Sequence, residues 1–125
     1  MQQQSFRDKL QEKMDAYVHY VYGLTKKFPK DELYGSTSQL RRASLSIILN
    51  YIEGFARIKD KVYLNFLEIS YGSLKESKYL ISFSLVEKYL TEEEYAKATA
   101  MAEEIGAMLW STMELVRKNQ NNDIK

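Results

Sequence analysis

The sequence predicts an all-α fold: an antiparallel, up-down-up-down four-helix bundle in one domain spanning 1–125. Three observations carry that prediction. Apolar residues recur at spacings of three and four along four long segments, the period of helices that turn one face to a core. One proline and five glycines in 125 residues leave few interruptions, which suits long helices better than a many-turned β-fold. The connections between segments are short, and short connections return consecutive helices antiparallel.

The first helix is expected over about 5–28, with Phe6, Leu10, Met14, Tyr17, Val21, Leu24 and Phe28 as its seam. Ser5 suits the N-cap, with Asp8 three residues on. Pro29 ends it, because the residue before a proline is pushed out of the α region. The second helix is expected over about 33–57, and both Asp31 and Ser36 are candidate caps, Ser36 with Gln39 matching a capping box. On a helical wheel Leu40, Ala43, Ile47, Tyr51 and Gly54 share one face. Leu45, Ile48, Leu49 and Ile52 form a second apolar sector, and Gln39, Arg42, Ser46, Asn50 and Glu53 a narrow polar stripe. A helix apolar around most of its circumference is buried on more than one side. The second sector is therefore the expected oligomer interface.

The third helix is expected over about 61–90, capped by Asp60. Ser70, Ser73, Ser77 and Ser84 share a face there, and small side chains let helix backbones approach closely. The alternative is a hydroxyl row that binds a ligand. Thr91-Glu92-Glu93-Glu94 is a capping box that opens a fourth helix over about 92–118, with acids at the positive end of its dipole. Residues 119–125 are polar and expected to fray.

Composition narrows the chemistry. There is no cysteine, so disulfides and thiolate metal sites drop out, which fits a reducing cytoplasm. The amino-terminal residues carry no apolar signal core, and no apolar run approaches membrane-spanning length, so a cytoplasmic protein without a membrane partner is expected. His19 is the one histidine. It lies off the core seam and has no Glu-x-x-His spacing, so neither a hydrolytic triad nor a di-iron site can be assembled. No glycine-rich phosphate loop occurs. A non-enzyme with no cofactor is the expectation.

Net charge is +1, but its distribution is uneven: residues 1–59 hold ten Lys/Arg against six Asp/Glu, and residues 60–125 hold eight against eleven. Such asymmetry marks either a basic face or surfaces that pair within the bundle. Arg41, Arg42, Lys26, Lys27 and Lys30 are the candidate nucleic-acid contacts, since arginine suits bidentate phosphate recognition. Gln39, Ser46, Asn50, Glu53, Ser73 and Glu76 are a candidate polar network that would fix helix register, or line a groove for a partner.

Phe28-Pro29-Lys30, Tyr34-Gly35, the run Thr37-Ser38-Gln39-Leu40-Arg41-Arg42-Ala43, Ser46-Ile47, Asn50 and Glu53-Gly54 resemble one bacterial four-helix-bundle family. Its members were first noticed as reading frames within intervening sequences of 23S rRNA genes and are often labelled S23 ribosomal protein. Phe66-Leu67, Gly72-Ser73 and Glu76 extend the likeness into the third helix. The chain departs from the family where Ile48-Leu49 replaces the usual Pro-Ser, and where Lys78 replaces a frequent acid. The resemblance implies a homo-oligomeric ring, a pentamer, and kinship with the nucleic-acid-binding accessory proteins of diversity-generating retroelements. The implied partners are the chain itself and RNA or a reverse-transcriptase-like protein. The alternative is a homo-oligomeric scaffold for a protein client.

Overall fold

The computed structural model describes residues 4–124. Four helices fill it: α1 (Phe6–Thr25), α2 (Ser36–Phe55), α3 (Asp60–Val86) and α4 (Glu92–Ile124), with a single 3-10 turn at Lys30–Glu32 between the first two. No strand occurs among the described residues.

The ends of the helices follow local chemistry, not always as expected. Ser5 caps α1, its hydroxyl accepting from the Asp8 N–H at 3.1 Å. The Thr91–Glu94 box forms reciprocally: Glu94 N–H donates to the Thr91 hydroxyl at 3.1 Å and Thr91 N–H to the Glu94 carboxylate at 3.0 Å. Ser36 and Asp60, expected as caps, are instead the first residues inside their helices. The cap of α2 comes from the preceding 3-10 turn, where one Glu32 carboxylate oxygen accepts from the Ser36 backbone at 2.9 Å and from its hydroxyl at 2.7 Å. Gly35 makes this reach available, because a Cβ there would lie 2.9 Å from that same oxygen. The segment 119–124, expected to fray, continues α4. Neither glycine nor proline occurs after Gly106 to stop the helix, and Lys125 lies outside the described residues.

Contacts at the two ends fix the helix directions. At one end Phe28 meets Tyr89 at 5.4 Å between ring centroids, and the Tyr20 hydroxyl donates to the Glu94 carbonyl at 3.4 Å. At the other, the start of α1, the end of α2, the start of α3 and the late part of α4 close around a cleft of about 390 Å³. Consecutive helices are therefore antiparallel, and the fold is a four-helix bundle. Its core takes Leu10, Met14, Tyr17 and Val21 from α1, Leu40, Ile47 and Tyr51 from α2, Leu67, Leu74 and Ile81 from α3, and Ile105 and Leu109 from α4.

Small residues set the α2–α3 distance. Ser70, Ser77 and Ser84 are fully buried at seven-residue intervals along α3. Ser70 donates across to the Ile47 carbonyl at 2.7 Å, and Ser84 donates back to the Leu80 carbonyl at 2.7 Å. Ser77 donates to the Leu74 carbonyl at 2.8 Å, so its one proton is engaged and the buried Tyr17 hydroxyl, 2.9 Å away, donates to it. The serine row is thus taken up within the bundle.

Two glycines separate packing from propensity. A Cβ on Gly54 would sit 3.0 Å from a Tyr63 ring carbon and 3.3 Å from the Phe66 Cβ, whereas nothing approaches one on Gly72 within 4 Å. Alanine gains about 1 kcal/mol over glycine inside a helix, and overpacking costs about 1–3 kcal/mol. Gly54→Ala is expected to lower stability and Gly72→Ala to raise it by about 0.5–1 kcal/mol, as denaturant melts of both variants would read.

Candidate functional site

The inner face of α2 is buried as the wheel predicts: Leu40, Ala43, Ile47, Tyr51 and Gly54. The second apolar sector faces outward. Leu49 is 57% and Ile52 44% exposed, while Leu45 and Ile48 are half-buried. Ile48 shares a shallow recess with Gln4, Asp8, Gln11, Glu12 and Asp15 of the α1 side. All four residues of the expected interface therefore lie on one uncovered or partly covered flank of the single chain.

On the other flank of α2 the polar stripe meets α3. The Ser46 and Ser73 hydroxyls are 2.8 Å apart, and the Asn50 amide donates to the Ser46 carbonyl at 2.8 Å and to its hydroxyl at 2.9 Å. The expected network of six closes on these three. Glu53 pairs with Arg57 on the next turn of its own helix. Gln39 and Glu76 are exposed, with no side-chain partner among the described residues. α2 and α3 run antiparallel with 46 opposite 73, and Glu76, one turn on, lies at the exposed edge of that contact.

The five candidate phosphate contacts gather at the Phe28–Tyr89 end, in two electrostatic states. Arg41 donates from Nε to the Thr25 hydroxyl at 2.8 Å and lays its guanidinium over the Tyr22 ring at 4.8 Å. Lys27 is ion-paired with Glu94. Lys26, Lys30 and Arg42 are exposed and form no ion pair among the described residues. Asp31, Glu32 and Glu94 stand at the same end, and Glu32 and Glu94 are engaged as caps.

Sequence reasoning missed a third surface, on α3 and α4. Trp110 and Tyr71 form a tilted ring pair with centroids 5.5 Å apart. Lys75 lies over Tyr71 at 5.2 Å and Arg117 over Trp110 at 5.2 Å. The spacings were readable, since positions four and seven apart share a helix face, but nothing in one helix's sequence says which neighbour it will face. His19, by contrast, is exposed and sits 3.4 Å from Asp15 one turn away, as a surface histidine would. Among the described residues no group of three or more His, Cys, Asp or Glu is arranged to hold a metal, and no helix is long and apolar enough to cross a membrane.

Fold and surfaces together define a small all-α bundle that leaves apolar side chains uncovered, among them Leu49 and Ile52 on α2 and Trp110 on α4. Residues 8–111 match the family described as 23S rRNA-intervening sequence protein, and the chain belongs to that family. A solved structure, of a protein with unknown function from the S23 ribosomal protein family of Bacteroides thetaiotaomicron, shares the fold with a TM-score of 0.78. It is 21% identical over 83% of this chain and 97% of its own. No curated protein matches the chain.

Carboxylates held in their charged form predict an acid limit. Hydrogen bonds from Ser36 hold Glu32 below the ordinary 4.5, the Lys27 ammonium does the same for Glu94, and Lys78 for Glu103. A carboxylate whose folded pKa lies below its unfolded one adds stability above the unfolded value, and loses it as pH falls through the folded one. Tm should therefore be flat near neutrality and drop below about pH 4.5. Glu32→Gln and Glu94→Gln should each flatten that drop in a thermal melt series.

Proposed function

We propose that this chain is a cytosolic, non-enzymatic bundle that assembles with copies of itself and engages RNA or an RNA-handling partner such as a reverse transcriptase. The observation that carries the reading is the α2 flank, where Leu49 is 57% and Ile52 44% exposed beside Leu45 and Ile48. Contiguous uncovered apolar surface on a small bundle marks an interaction site. The assembly proposed is the ring of five that the family resemblance implies. The RNA half of the proposal rests on Lys26, Lys30 and Arg42, which are exposed without ion pairs among the described residues, and on the rRNA link in the family's description. A ring would repeat this modest patch, and linked weak contacts gain through effective concentration.

The alternative, a homo-oligomeric scaffold for a protein client, is favoured by the engagement of Arg41 and Lys27 and by a net charge of only +1. Two measurements decide. Light scattering behind a sizing column should give several times 14.7 kDa. Leu49→Asp, which leaves the intramolecular core untouched, should shift the protein toward monomer; a wild-type monomer would overturn the assembly.

Fluorescence anisotropy with a structured RNA at low salt should report binding that weakens as salt rises, by a slope of about 0.7–0.9 per phosphate contacted. A Lys26/Lys30/Arg42 triple alanine variant should bind less and with a shallower slope. Absence of binding at low salt moves the assignment to the protein-client scaffold.

A further inference from the structure

Trp110, the only tryptophan of the sequence, is 46% exposed on the α3–α4 face. It borders a recess of about 370 Å³ whose floor is Leu74 and Gly106, with the exposed Ala107 at its edge and Trp110 with Tyr71 as its aromatic wall. The floor is low because position 106 has no side chain; a Cβ there would lie 3.3 Å from Leu74. Lys75 and the ion pair Lys78–Glu103 form the rim. Lys75 stacks on Tyr71 and makes no ion pair among the described residues.

We propose that this recess is a stacking site for one unpaired nucleobase of single-stranded RNA, with Trp110 and Tyr71 as platform and the Lys75 ammonium meeting the adjoining phosphate. The proposal rests on the RNA-engaging reading above, but on different residues from the basic end. An aromatic face accepts any base. The neighbouring Lys78–Glu103 pair offers a donor and an acceptor side by side, matching the donor and acceptor groups on a base edge. A docking protein is the weaker fit, because the rim alternates Lys75, Lys78 and Glu103 instead of presenting an apolar border. Local charge is balanced: Lys75, Lys78 and Arg117 face Glu103, Glu68 and Glu114. Binding here should therefore be driven by stacking and tolerate salt better than contacts at the basic end.

The test uses the full chain, a fluorescein-labelled oligoadenylate single strand and a duplex of the same length, read by anisotropy and by selectively excited Trp110 emission. The single strand should quench Trp110 severalfold more than the duplex. Trp110→Ala should weaken single-strand binding about tenfold, within the range of one lost base stack, while Trp110→Phe keeps most of it. Lys75→Ala should weaken single-strand binding with the indole still in place, which keeps the test open if Trp110→Ala does not fold by circular dichroism. The Lys26/Lys30/Arg42 triple alanine variant should need more single strand to reach saturation but show the same Trp110 quench once saturated.

Anisotropy that rises with no change in Trp110 emission would overturn this site and leave the basic-end reading standing. No rise with any RNA at low salt would overturn both. Trp110 emission that shifts with protein concentration alone would make this face a contact between copies, which also overturns the proposal.

Discussion

The close approach of α2 to α3 is the constraint on which the rest depends. Helices come this near only where side chains are small, and the seam supplies Ala43 and Gly54 from one side and Ser70 and Ser77 from the other. The hydroxyls would be a liability in an apolar interior, since a buried polar group without a partner costs about 1–3 kcal/mol. Here the Ser70 proton crosses to the Ile47 carbonyl, and Ser77 becomes the acceptor for Tyr17, so the same residues that permit proximity also tie three helices together. Among the described residues no buried side-chain nitrogen or oxygen lacks a partner.

That seam has a consequence for the opposite side of α2. With its inner positions given to small residues and to Leu40, Ile47 and Tyr51, the helix carries Leu45, Leu49 and Ile52 outward. Leu49 and Ile52 are thus left exposed on the single chain, and that is why the proposed self-assembly is argued from this helix rather than from overall charge.

Much of the fold was legible because helix periodicity is a local property. The seam of α1 from Leu10 onward, the inner face of α2 and the Thr91 capping box all depend on residues within a few turns of one another, whereas Phe6, expected in the seam, is exposed. What escaped depended on neighbours. Glu32 reaches over Gly35 to cap α2 through a 3-10 turn that leaves no periodic trace. Glu53 and Glu76 share the polar stripe's spacing, yet one finds Arg57 on its own helix and the other stands exposed. The basic cluster was legible as composition, but Lys27 and Arg41 met partners on α4 and α1 that only the packing of helices could supply.

The charges at the Phe28–Tyr89 end divide by role. Lys27 and Glu94 are worth little to stability as a partly exposed pair. Glu94 also accepts the Thr91 N–H, so the pair ties the end of α1 to the start of α4. Arg41 likewise joins α2 to α1 through Thr25, whose own proton goes to the Val21 carbonyl at 2.8 Å. These two cations hold the end of the bundle in shape, and the guanidinium keeps its charge while doing so. Lys26, Lys30 and Arg42 then project from a rigid platform, not from a frayed terminus. Side chains on a fixed frame lose less freedom on meeting a partner than side chains on a mobile one, and that saving matters most for a patch of only three unpaired cations. A sparse basic surface is thus compatible with engagement of an anionic polymer, provided that assembly along the α2 flank repeats it.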